Sequence, residues 1–162
     1  MDVEVASNED ISRAVGVIDA WISAWLHDGS FLVAADKQLV TDGTATHRWY
    51  LRFAGEEKDA ITVWATLSQR TLQTEVQLMP APDEQVEEVL GYLMRQNAEL
   101  YGMAYAFGPE DAIYLMGRIS ASLVSEEVLD RIFGSSVHYV DQHFPQAMSL
   151  GFPGRYRRRS KG

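Results

Sequence analysis

Four histidines, several carboxylate pairs and no cysteine are the side chains of this 162-residue chain best suited to chemistry. The histidines cluster once, in His138-Tyr139-Val140-Asp141-Gln142-His143, while His27 and His47 stand apart. His138 and Asp141, three residues apart, can share a helix face. Metal sites on helices more often use histidines four residues apart with a further carboxylate or histidine, and His143, five residues from His138, points elsewhere. The run reads as a solvated helix face, and no metal or cofactor is expected. Carboxylate pairs occur at Glu9-Asp10, Glu56-Glu57, Glu87-Glu88, Glu110-Asp111 and Glu126-Glu127. Acid–base catalysis needs two carboxylates at a fixed distance with separated pKa values. These pairs fall at helix starts or turns, where solvent and the positive end of the helix dipole already account for them. Glycine-rich phosphate loops and a Gly-Xaa-Ser-Xaa-Gly elbow are absent. Without cysteine, thiol catalysis, disulfides and Cys-based zinc sites are excluded. No catalytic constellation emerges, and the expectation is a non-enzymatic protein.

Side chains suited to binding are easier to find, and strands must position them. Arg48 to Phe53 alternates Trp49, Leu51 and Phe53 against Tyr50 and Arg52. Ala60 to Leu67 alternates Ile61, Val63, Ala65 and Leu67 against Thr62, Trp64 and Thr66, and Thr71 to Met79 continues with Leu72, Thr74, Val76 and Leu78. Such alternation with short connections predicts an antiparallel meander with one face buried. By parity the other face carries Tyr50, Arg52, Trp64, Glu75, Gln77, Tyr114, Met116 and Arg118. Aromatics, methionine and arginine among polar residues make an interaction surface. The competing reading is a face partly covered by a loop such as residues 31–47.

Helices frame these strands. Ser7 with Asp10 resembles a capping box, and Ile11, Ala14, Val15, Ile18, Ile22 and Trp25 recur at helical spacing up to Gly29, a suitable C′ residue. Residues 31–47 give the weakest pattern, with Phe31-Leu32-Val33 a short strand or an extended connection and Asp42-Gly43 a turn. Pro80-Ala81-Pro82 stops the third strand, and Asp83 is a natural N-cap for a helix to about Tyr101 with Gly102 beyond it. Its stripe is Val86, Val89, Leu90, Leu93, Asn97, Leu100 and Tyr101. A hairpin turns at Gly108-Pro109-Glu110-Asp111, with Met103, Tyr105, Phe107, Ile113, Leu115 and Ile119 facing the core. A last helix opens at Ser125 and buries Val128, Leu129, Ile132, Phe133, Val137, Val140, Phe144 and Met148, with possible bends at Gly134-Ser135-Ser136 and Pro145. The predicted order is α-β-β-β-α-β-β-α, an α+β fold of about five antiparallel strands with helices mainly on one face. A single domain to residue 152 precedes an exposed, flexible tail over 153–162.

Asn97 falls on the apolar stripe of the central helix. A buried amide without partners costs about 1–3 kcal/mol, so Asn97 either ties down a strand end or turn, or sets the register of a dimer.

A family resemblance runs from about Ile11 to Phe152. It is carried by Leu93-Met94-Arg95-Gln96-Asn97, by Phe107-Gly108 with Ala112-Ile113-Tyr114-Leu115-Met116-Gly117, and by Glu127-Val128-Leu129-Asp130-Arg131-Ile132. Gly55-Glu56-Glu57-Lys58 with Val63, and Met79-Pro80-Ala81-Pro82, fit as well. These residues resemble the bacterial YbjN-domain family, with Gln96 standing where the family tends to carry a second basic residue. The resemblance implies a fold similar to the type III secretion chaperones, a homodimer, and a chaperone-like or sensory-regulatory role in binding a protein partner. It implies no reaction.

Charge narrows the partner. The net charge is −9, yet Arg155, Arg157, Arg158, Arg159 and Lys161 supply five of the 14 basic residues. Up to Gly154, nine basic residues face 23 acidic ones, a balance of −14. Such a body repels nucleic acid and anionic membrane. Only the tail arginines could contact an anion, and otherwise nucleic acid is not expected as a partner. No apolar run approaches the roughly 20 residues of a membrane span, and Met1-Asp2-Val3-Glu4 lacks the features of a signal peptide, so a cytoplasmic location is expected. The alternative reading is a small-molecule sensor or enzyme with a pocket between helices and sheet.

Overall fold

The computed structural model describes residues 8–41 and 45–158. The expected cap at Ser7, the turn at Asp42-Gly43, Arg159 and Lys161 lie outside the described residues. Helix α1 (Asn8–Asp28) leads into β1 (Leu32–Thr41), β2 (Ala45–Ala54), β3 (Ala60–Leu67) and β4 (Thr71–Met79). Then come α2 (Val86–Asn97), β5 (Met103–Phe107), β6 (Ile113–Ser120) and α3 (Glu126–Gly151). The fold is α+β, with one antiparallel sheet in the order β1-β2-β3-β4-β6-β5.

The sheet therefore has six strands where the alternation predicts about five. The added strand is β1, within the segment of weakest pattern. It pairs with β2 alone, and from Val33 to Gln38 only Ala35 is not exposed. A strand with so little buried surface has no reason to alternate apolar with polar residues. A register shift between Leu32 and Ala34 disturbs its period further.

The inner face follows parity. Trp49, Leu51, Phe53, Ile61, Val63, Ala65, Leu67, Leu72, Val76, Leu78, Ile113 and Leu115 are all at most 2% exposed. Against them α1 sets Ala14, Ile18, Trp21 and Ile22, and α3 sets Leu129, Ile132, Phe133, Val137 and Val140. Trp21 sits at the junction, its ring 4.8 Å from Phe133 and 6.3 Å from Phe53. Its indole N–H donates to Asp130 at 2.8 Å, so a large apolar surface is buried without orphaning the polar edge. The Trp49 indole N–H likewise donates to Asp19 at 3.0 Å. Burial opposes ionisation of Asp19, but hydrogen bonds from Lys37 and Trp49 hold its carboxyl below the usual range.

Some expectations change at the element ends. Helix α2 starts at Val86 after Gln85, whose backbone is left-handed (φ 51°, ψ 43°), and not after an Asp83 cap. The Asp83 N–H donates instead to the Gly151 carbonyl, and its carboxylate pairs with Arg155. The helix ends at Asn97, about one turn short of Tyr101, which is 72% exposed under the Arg131 guanidinium. Phe107, expected in the core, is 53% exposed, because it ends a terminal strand of the sheet. Helix α3 runs unbroken through Gly134-Ser135-Ser136 and Pro145, capped by the Ser125 hydroxyl accepting from the Val128 N–H. Gly29 takes the left-handed backbone expected of a helix exit, at φ 73°.

Candidate functional site

The three α-helices of the described residues pack on the inner face, and the side chains singled out for binding project from the other. Cross-strand pairing aligns Tyr50 with Trp64, Trp64 with Glu75, and Glu75 with Met116. Four of the expected residues thus form one continuous line across β2, β3, β4 and β6. Trp64 meets Tyr50 edge to face at 4.7 Å. Flanking this line, Arg48 pairs with Thr66 and Gln73 with Arg118. On its other side Arg52 pairs with Thr62 and Tyr114 with Gln77. Tyr50, Trp64, Glu75, Tyr114 and Met116 are partly buried by their neighbours, and Arg52 and Arg118 are exposed.

The hairpin between β5 and β6 shapes one end of this surface. Its tip is a 3₁₀ turn at Pro109–Asp111, with Glu110 and Asp111 left-handed at φ 58° and 59°. A Cβ on Gly108 would run into the Tyr114 ring, so glycine lets the tip close down on that residue. The result is a hollow of about 200 Å³ lined by Arg48, Trp64, Thr66, Glu75, Pro109 and Tyr114. Within it, Glu75 accepts from the Gln73 amide at 3.0 Å, and the Arg48 guanidinium donates to the Thr66 hydroxyl at 3.3 Å. Arg48, Thr66 and Pro109 are additions to the residues expected from sequence. Arg48 was legible, since it shares the parity of Tyr50 and Arg52. Pro109 was not, because its position depends on how the hairpin tip folds.

The remaining candidates lie elsewhere. Asn97 reaches from the end of α2 to β5, accepting from the Tyr105 N–H at 2.7 Å and donating to the Tyr105 carbonyl at 3.3 Å. The Tyr105 hydroxyl lies 2.7 Å from Nδ1 of His143, which is 4% exposed, and donates to the Tyr139 carbonyl at 3.3 Å. Burial pushes the Tyr105 pKa up. Burial lowers that of His143, and the nearby His138 lowers it further. The solvated face expected for residues 138–143 is thus divided, with His138 exposed and His143 buried. Asp141 is committed to the turn between β2 and β3, where its carboxylate accepts from the N–H groups of Glu56, Glu57 and Lys58 at 2.8–3.0 Å.

The described part of the basic tail lies against the body. Arg158 pairs with Glu57, with the guanidinium Nε 3.1 and 3.2 Å from its carboxylate oxygens. Tyr156 packs edge to face on Phe144 at 5.5 Å. Arg157 is exposed, and Arg155 pairs with Asp83.

A second hollow, of about 170 Å³, lies between α2 and β5 and is lined mainly by apolar residues including Leu90, Leu93, Met94, Tyr105 and Phe107. Among the described residues, no helix is long and apolar enough to cross a membrane.

Comparison with known proteins gives three results. The model of the YbjN family, described as "Putative bacterial sensory transduction regulator", matches residues 19–147. An uncharacterized protein of Mycobacterium tuberculosis is 31% identical over 116 residues, 72% of this chain and 63% of that protein. One from Mycobacterium leprae is 26% identical over 141 residues, covering 82% and 76%. The match thus spans less than two thirds of the length of the M. tuberculosis relative. Among solved structures, the ExsC–ExsE complex contains a chain similar at a TM-score of 0.49 and 12% identity, with 85% of this chain and 96% of that chain covered.

Proposed function

The chain belongs to the YbjN family, and from that membership we propose that it is a regulatory, chaperone-like binding module that holds a segment of a protein partner on its open sheet face, without catalysing a reaction. The observation that carries this reading is the unbroken line Tyr50–Trp64–Glu75–Met116, flanked by arginines on a face that no α-helix of the described residues covers. Trp, Tyr and Arg are the residue types that most often dominate binding energy at protein interfaces. The alternative of a ligand pocket between helices and sheet has less support. The hollow between α2 and β5 is about 170 Å³, whereas small-molecule sites run to roughly 300–1,000 Å³. Its polar member Asn97 is bonded to Tyr105 within the chain.

We infer further that the working form is a homodimer in the cytoplasm. Met94 and Phe107, 70% and 53% exposed, give α2 and β5 an apolar surface of the kind that self-association covers. The docking reading is tested by affinity capture from native lysate with wild-type and Trp64→Ala chains as baits, followed by hydrogen exchange of the purified complex. A partner lost with Trp64→Ala, with protection over β2, β3 and β6, is expected. Capture insensitive to Trp64→Ala moves the site away from this face.

A further inference from the structure

We propose that the segment docking on the open face is acidic and anchored by one tyrosine or tryptophan side chain; this rests on the docking reading above and adds the chemistry of its occupant. The argument is charge complementarity. Up to Gly154 the chain has nine basic residues against 23 acidic ones. Three of the nine, Arg48, Arg52 and Arg118, project from the open face, and Arg70 stands beside it at the turn between β3 and β4. None of the four makes an ion pair among the described residues, where the ion pairs use Lys37, Arg155 and Arg158. Two carboxylates register onto the central line: Glu75, which already accepts from Gln73, and Asp36 of β1, paired with Tyr50 at the end away from the hairpin. On a molecule this acidic, arginines that flank the line and outnumber its two carboxylates make this face locally positive on either side of it, which favours an acidic segment over a basic one.

The geometry sets the spacing of the occupant. Arg48 and Arg118 are separated by three strand spacings, about 14 Å. Arg52 lies four residues from Arg48 along the same strand, about 13 Å. An extended segment crossing the line could therefore present carboxylates to arginines on both sides, and the guanidinium fork matches a carboxylate bidentately. Between them, the hollow of about 200 Å³ holds one side chain rather than a larger ligand. Its aromatic walls, Trp64 and Tyr114, suit a ring, and the Glu75 carboxylate can accept from a phenol O–H or an indole N–H, which favours tyrosine or tryptophan over phenylalanine. Single-stranded nucleic acid fits less well, because a strand with a phosphate at every nucleotide cannot avoid Glu75 and Asp36, whereas a peptide can place its acidic residues to either side of them. Tyr50 and Trp64 also stand at 79° to each other, not as a flat platform for stacked bases.

The test is selection of a displayed library of random 12-residue peptides on the full chain, followed by affinity measurement of the selected peptides and of an oligo-dT strand on four variants. The expected result is enrichment of Asp and Glu around a single Tyr or Trp. Affinity should fall about tenfold or more in Arg48→Glu/Arg118→Glu, be lost in Trp64→Ala and stay unchanged in the tail variant Arg157→Glu. Glu75→Gln should narrow the preference for Tyr over Phe. Selected peptides that lack acidic bias but still depend on Trp64 overturn the proposed chemistry and leave the docking face standing. Peptides that bind Trp64→Ala equally well, or no enrichment at all, overturn both. Oligo-dT binding that depends on Trp64 and exceeds that of the selected peptides makes the occupant a nucleic acid and also overturns the proposal. Circular dichroism of each variant separates loss of binding from loss of fold.

Discussion

One polar side chain holds the fold at a point where backbone would otherwise lack partners. The Asp141 carboxylate takes three successive N–H groups of the β2–β3 turn, and hydrogen bonds to a charged group contribute about 1.5–3 kcal/mol. Asp141→Ala should therefore lower stability by roughly 2–4 kcal/mol, with Asp141→Asn intermediate, as read by urea denaturation. Equal midpoints for the two variants would contradict this role. Gly55 belongs to the same device, since a Cβ there would collide with the Lys58 carbonyl. His143 predicts a pH dependence. Its pKa is lowered by burial, so between its folded value and the ordinary 6.5 the unfolded chain binds more protons than the folded one. Stability contributed by the neutral ring is complete above about pH 6.5 and is lost as pH falls through the folded pKa. Denaturation midpoints should drop on acidification in this window, and less so in His143→Gln. A slope identical in the two proteins would exclude His143 as its source.

At the scale of elements, legibility followed burial. Strands β3 and β4 bury one face completely, and β2 does so from Trp49 to Phe53, so their alternation gave both their existence and their facing. That alternation put Tyr50, Trp64 and Glu75 on the same side before any register was known. Strand β1 was hidden because few of its side chains are buried. The cap of α2 misled because Asp83 has the right chemistry but is held by Gly151 and Arg155 from the other end of the domain. Pairings so distant in sequence leave no local pattern. The hollow was illegible for a similar reason, since Pro109 reaches it only through the fold of the hairpin tip. That tip gives an element-scale prediction. Gly108→Ala must displace the Tyr114 ring, so it should weaken binding at the open face about tenfold while costing roughly 1–3 kcal/mol in stability. Unchanged affinity in a folded Gly108→Ala variant would show that the tip does not shape the site.

For the whole molecule, one wall of the sheet carries the core and the other is the face proposed to bind a partner. The proposed homodimer would use neither, but the apolar flank of α2 and β5. Met94→Glu should then reduce the native mass seen by sedimentation without altering the monomer's circular dichroism, and wild-type protein that sediments as a monomer would refute the dimer. Strand β5 raises a separate issue. A terminal strand whose outward N–H and C=O groups are free is a template on which further chains can add without limit. By bonding both the N–H and the carbonyl of Tyr105, Asn97 acts as a one-residue substitute for the next strand. Its consequence is colloidal: Asn97→Leu should lose about 1–3 kcal/mol of stability, and at high concentration should develop light scattering and thioflavin fluorescence that the wild type does not show. A variant that stays clear would locate the protection elsewhere. The asparagine on the apolar stripe would then serve the solution as much as the fold, ending a sheet that would otherwise continue from one molecule into the next.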